Sequence, residues 1–201
     1  MAKIKFTKTE LKHQQDEEKQ FRRFLPTLQL KKQQLQFEVR HSAEQLEQVE
    51  EERRRHEESI ARFIALFGDR DAADFVTSQV RISRVLRGYV NIAGITVPTF
   101  ERVEFEPLKW DLFATDWYVD DAVAAVKEAV SLREAARILE EQHALLAAEL
   151  RSTTQRVNLF EKVKIPECRE NIRKIRIMLG DAETSAVARS KIAKRKVALG
   201  A

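Results

Sequence analysis

Glycine and proline are scarce, with five and four among 201 residues. These two residues end most helices and build most turns, so their scarcity excludes a fold of many short elements and points to a few very long helices. A single cysteine, Cys168, excludes an internal disulfide and fits a reducing compartment. No apolar run approaches the roughly 18 residues of a membrane span, and no signal-peptide pattern opens the chain, so a cytoplasmic protein is expected. Neither charge sign dominates. A net charge of +4 is too small for a dedicated nucleic-acid binder unless the basic residues cluster.

Constellations that carry chemistry are missing as well. No string places two glycines before Lys and Ser or Thr, which a phosphate-cradling loop requires. The run from His56 to Ile60 begins like a zinc-protease helix, but Ile60 stands where the second histidine ligand would be. Cys168 has no histidine near it in sequence, and the arginines that follow it are what a basic solvent face would show, so an inert thiol is expected. The chain is therefore expected to be non-catalytic, with no cofactor and no metal.

What the sequence has is period. Thr7 and Glu10 form a capping box that starts a helix near Lys8. From there, alternating steps of three and four residues visit Leu25, Leu28, Lys32, Leu35, Val39, Ser42, Leu46, Val49, Arg53, His56, Ile60, Phe63 and Phe67. A second series runs Ala122, Ala125, Ala129, Leu132, Ala136, Leu139, His143, Leu146, Leu150, Thr153, Val157 and Phe160. A repeat of 3.5 keeps one apolar seam facing a partner helix. Two seams of similar length in one chain predict a mainly α fold, a long antiparallel two-helix coiled coil of N- and C-terminal helices. The coiled part from Leu25 to Phe67 alone would run roughly 65 Å. His56 and His143 interrupt the seams and are read as polar residues that set register. Between the seams, Glu51 and Arg55 stand at i,i+4 on a charged run read as a solvated face.

The organisation expected is an N-terminal coiled-coil helix over 1–68, a middle region over 69–120, and a C-terminal coiled-coil helix with a basic tail over 121–201. Within the middle region, β-branched and aromatic residues flank Asn91-Ile92-Ala93-Gly94, which predicts a β-hairpin near 80–105 with Gly94 in the turn and Pro98 on an edge strand. Asp120 or Asp121 caps the returning helix. Pairing Phe67 with Ala122 makes facing residue numbers sum to about 189, which sets Pro26 and Pro166 within about one turn and predicts matched bends.

Several strings resemble the D-subunit family of V-type rotary ATPases, in particular the bacterial V-type form. They are Thr7 to Leu11, Leu28 to Leu35, Arg156-Val-Asn-Leu-Phe-Glu-Lys-Val-Lys-Ile-Pro166, Ile172 to Gly180 and Ser190-Lys-Ile-Ala-Lys-Arg-Lys196, together with the Asn-Ile-Ala-Gly and Val-Pro steps at 91–98. The resemblance implies a central stalk that couples ATP hydrolysis or synthesis to ion translocation, inside a ring of catalytic and regulatory A and B subunits. It implies the F subunit of the stalk as companion and the C (or d) subunit beneath, on the membrane rotor. The protein would be peripheral to the membrane through that complex. On this reading the basic ends, Lys3, Lys5, Lys8 and Lys12 with Arg189, Lys191, Lys194, Arg195 and Lys196, meet carboxylates lining the ring. Trp110, Trp117 and Tyr118 form either a small local core or the companion interface. The rival readings are a free-standing coiled-coil scaffold and a nucleic-acid-binding hairpin, and the aromatics sit at the wrong end for the second.

Overall fold

The computed structural model describes residues 5–67, 76–107 and 118–199. Its elements are α1 (Lys8–Phe67), β1 (Ile82–Ile92), β2 (Ile95–Phe105) and α2 (Val119–Leu159), followed by a π-helical turn (Phe160–Lys164) and α3 (Ile165–Leu199). The fold is mainly helical: the N-terminal helix packs against a joined C-terminal helix, and one antiparallel hairpin lies between them in sequence. The chain forms two compact units, Met1–Lys32 with Ser152–Ala201, and Gln33–Arg151.

The start of α1 uses half of the expected capping box. The Glu10 amide donates to Thr7 Oγ1 at 3.2 Å, while the Glu10 carboxylate turns to Gln14 instead. The returning helix starts at Val119, so Asp120 and Asp121 occupy its first turn instead of the cap. There they still favour the helix, because carboxylates complement the positive end of its dipole.

The described positions of the first predicted seam, Leu25 to Ile60, are all buried or half-buried. Leu35 and Ser42 are its most enclosed members, at 0% and 1% exposure. In the unit holding both termini, Gln14 meets Asn171, Glu18 meets Arg169, and the rings of Phe21 and Phe160 lie 5.0 Å apart. In the other unit, Ser42 meets His143 and His56 meets Ala125. Both sets run antiparallel, and their facing numbers sum to between 181 and 187. The register is thus about one turn away from the sum of 189 that the pairing of Phe67 with Ala122 predicts. The expectation was anchored on the far end of α1, and the side chains of Phe63 and Phe67 lie outside the described residues.

Helix α1 is continuous across Pro26, and the irregularity of the returning helix is the π turn that precedes Pro166. The amide of Ile165 donates to the carbonyl of Phe160, five residues back. Pro166 has no N–H, so the ordinary ladder is broken there in any case. The extra residue has a definite use. Buried positions step from Val157 to half-buried Phe160, then by five to Ile165, and onward to Cys168, Ile172 and Ile175. Had the helix stayed regular, the same stepping would have turned Lys164, Glu167, Asn171 and Lys174 inward. The π turn absorbs one residue and restores the apolar seam. Cys168 therefore lies inside the seam at 4% exposure, not on a solvent face.

The hairpin pairs Tyr89 with Pro98 and Ile92 with Ile95, with register shifts between Ile82 and Arg84 and between Leu86 and Arg87. Ala93 and Gly94 both have positive φ, 51° and 83°, the two-residue turn whose twist matches that of the strands. A lone hairpin is marginal in water, and this one is stabilised by the helices. Fully buried Val97 joins Leu35 and Leu146 in one cluster, with Ile92, Ala93 and Ile95 packed around it. Arg87 bridges to Glu141 at 3.2 Å, and the Lys127 ammonium sits 5.7 Å over the Phe105 ring. These three levels set the hairpin lengthwise along α2. A second cluster, Val76 with Val119 and Val123, closes over the start of α2.

Two outcomes are expected. Leu35→Ala should cost about 2–5 kcal/mol in chemical denaturation, because it empties the point where both helices and the hairpin meet. Deleting Glu161 from the π turn should leave the melting temperature unchanged or higher, since the seam stays in phase. Deleting Lys174 should lower it by several degrees, because it throws Ile175 out of phase.

Candidate partner-binding surfaces

The basic terminal residues do not all gather at one level. Lys5 and Lys12 are exposed, Lys8 pairs with Glu183 at 3.3 Å, and Lys3 lies outside the described residues. Because α1 begins at Lys8, opposite Glu183, the last turns of α3 run on past it by about 24 Å. Every residue from 180 to 198 is exposed, including Arg189, Lys191, Lys194, Arg195 and Lys196 as well as apolar Val187, Ile192 and Val197. The chain thus carries an unsheathed helical end, basic and apolar together.

Sequence reasoning did not find the groove lined by Gln15, Glu18, Arg22, Arg169, Ile172, Arg173, Arg176 and Ile177. Its residues come from two segments about 150 positions apart, so only the antiparallel register could have revealed it. Glu18 accepts from Arg22 at 2.7 Å and from Arg169 at 3.0 Å. Burial pushes the Glu18 carboxyl up, but the hydrogen bonds and charge of the two guanidiniums outweigh it and hold the group below its ordinary value. Arg173 forks onto Glu170 through both Nε and Nη2, which lowers the Glu170 carboxyl. Nearby, Cys168 is pushed up, first by burial and then by the negative charges of Glu17, Glu167 and Glu18, so its thiol stays protonated and unreactive.

Both seam histidines find partners. Ser42 Oγ donates to the Val39 carbonyl at 3.0 Å, which leaves it an acceptor for His143 Nδ1–H at 2.9 Å. His56 Nε2–H donates to the Ala125 carbonyl at 2.8 Å, with Glu128 at 3.8 Å from its other nitrogen. These bonds form in one register only. Tyr118 is half-buried against the Val76, Val119 and Val123 cluster; Trp110 and Trp117 lie outside the described residues. On the hairpin, Tyr89 and Val90 are exposed.

Among the described residues no group of three His, Cys, Asp or Glu side chains is placed to hold a metal ion, and no helix is long and apolar enough to cross a membrane.

Comparison with known proteins covers almost the whole chain. The family model described as the D subunit of ATP synthase matches residues 10–195. The V-type ATP synthase D subunit of Borreliella burgdorferi is 43% identical over 194 residues, which is 96% of this chain and 95% of that protein. The corresponding proteins of Chlamydia pneumoniae and Chlamydia felis are 32% and 34% identical, covering 98% of this chain and 95% and 94% of theirs.

Two measurements follow from these contacts. A double-mutant cycle of Ser42→Ala with His143→Leu should return a coupling of about 1 kcal/mol in thermal or urea melts. The Glu18 carboxyl titrates lower folded than unfolded, so its stabilisation is complete above the unfolded value of about 4.5 and is lost as pH falls through the folded one. Helicity followed by circular dichroism should therefore fall more steeply below that pH in the natural chain than in Glu18→Gln.

Proposed function

The chain belongs to the ATP synthase D-subunit family, and from that membership we propose that it works as the central-stalk rotor of a V-type rotary ATPase, coupling ATP hydrolysis or synthesis to ion translocation. The observation that carries the reading is that the match runs from residue 10 to residue 195, through both long helices and the hairpin between them. The protein is non-catalytic: nucleotide chemistry belongs to the other members of the complex, and this chain transmits force.

The architecture suits that task. Torque passes along a helix pair only if the two helices cannot slip, and the seam, the Ser42–His143 and His56–Ala125 bonds and the Glu18–Arg169 pair each oppose slippage. Charged outer faces leave the pair free to move against successive partners. On this reading the exposed end of α3, with Lys191, Lys194 and Arg195, enters the ring of A and B subunits and meets carboxylates there, together with the lysines at the start of the chain. The middle region, with Trp110, Trp117 and Tyr118, faces the F subunit of the stalk, and the C (or d) subunit seats the stalk on the membrane rotor. The protein then resides at the cytoplasmic face of a membrane without entering it.

The test is ATP hydrolysis by the catalytic ring of the same source, with a bead fixed to the middle region of this chain. Stepwise, ATP-dependent rotation is expected. Absence of any complex with the ring would return the chain to a free-standing coiled-coil scaffold. Charge reversal at Lys194, Arg195 and Lys196 should weaken assembly at low salt, and full assembly in that variant would remove the carboxylate contact.

A further inference from the structure

The two edges of the hairpin are not alike. Residues 87–92 pair with 95–100 without a register shift. On β2, the consecutive residues Val97 and Pro98 are both buried, so that strand is enclosed on both faces. On β1, the consecutive residues Tyr89, Val90 and Asn91 are all exposed, Tyr89 at 70%. The ladder determines which main-chain groups this leaves open. A two-residue turn closes on Ile92 and Ile95 as a hydrogen-bonded pair, and bonded and non-bonded pairs alternate from there. Tyr89 and Pro98 then form a non-bonded pair, as they must, because Pro98 has no N–H to give. The N–H and C=O of Tyr89 and Asn91 therefore point away from β2. Among the described residues, no main-chain bond outside the helices and the hairpin ladder reaches them.

We propose that this free edge of β1 is a strand-addition site, which takes a short extended segment of another protein of the same complex as a third strand. The proposal rests on the rotor reading, which supplies the complex. Two donors and two acceptors spaced roughly 6.8 Å apart along an extended edge match another extended backbone. They do not match a helix, whose main-chain groups are already paired within itself. Natural sheets commonly close such an edge with proline, lysine or a bulge. Pro98 closes β2 at this level, and both register shifts lie beyond Arg87, so over residues 87–92 the β1 edge carries none of these. A third strand also supplies what a hairpin lacks, since two strands are marginal in water. Tyr89 and Val90, on opposite faces of the sheet, give the incoming strand an apolar neighbour on each. Exposed Arg84, farther along β1, favours a carboxylate at that end of the segment.

The experiment follows amide hydrogen exchange at Tyr89 and Asn91 in the isolated full chain and in the assembled complex of the same source. Both amides should exchange freely in the isolated chain and about tenfold or more slowly in the complex. Those of Val90 and Ile92, inside the ladder, should stay protected in both. Two variants separate main chain from side chain. Tyr89→Ala keeps the N–H and loses the ring, whereas Tyr89→Pro loses both and leaves the ladder bonds in place. With Val90 and Ile92 still protected, Asn91 protection in the complex should be kept within about threefold in Tyr89→Ala and fall about tenfold in Tyr89→Pro. Equal exchange of Tyr89 and Asn91 in chain and complex, or equal behaviour of the two variants, would overturn strand addition while leaving the rotor reading intact. Protection in the isolated chain that grows with its concentration would overturn it in favour of a second copy. A natural chain that joins no complex at all would overturn the rotor reading beneath it.

Discussion

Everything in this protein depends on two long helices staying in one register against each other. Hydrophobic burial alone fixes that register weakly, because a seam of similar aliphatic residues gains nearly the same energy when it slips by a heptad. The polar members of the seam remove the degeneracy. A displaced His143 would leave Ser42 buried without its second partner, and a displaced His56 would lose the Ala125 carbonyl. An unmade buried hydrogen bond costs about 1–3 kcal/mol, so a few such contacts specify what the aliphatic residues only stabilise. The π turn belongs to the same constraint, since it is the means by which a sequence one residue out of phase is returned to the seam.

Much of this was legible in the sequence because period is a local property that survives any error in register. The stepping from Leu25 to Ile60 coincides with the buried and half-buried positions of α1, and the Asn91 to Gly94 string marked the turn of the hairpin. What was not legible depended on pairing between distant segments. A sum of facing numbers anchored on a helix end falls about one turn from the one the contacts give. The groove between Glu18 and Arg169 could not be seen without the correct sum. A constant 3.5 step carries the second seam only to Phe160, because its next positions are Lys164 and Glu167. A five-residue step is invisible to a reading that assumes regular helix, although Ile165, Cys168, Ile172 and Ile175 by themselves form a clean continuation. That same blindness put Cys168 on the wrong face.

The charged surface follows a different logic from the seam. Counting lysines and arginines at the ends of the chain groups residues by position in sequence, whereas the helix sorts them by angle. Of the C-terminal cations read as one cluster, Lys191, Lys194 and Arg195 share a side with three arginines about twenty residues earlier, and Arg189 and Lys196 do not. A basic tail and a basic stripe have the same composition but present different surfaces to a partner.

The way the hairpin is fastened has a mechanical consequence. It touches the helices at its tip through Val97, part-way along through Arg87, and at its base through Phe105, spanning α2 from Lys127 to Leu146. A strip held at one end would swing freely, but one held at three levels over about 28 Å acts as a splint. Two helices in contact resist bending least in the direction across their shared plane. A third element fastened along α2 shares the bending load with that helix, so bending stiffness is raised over that stretch without adding a third helix.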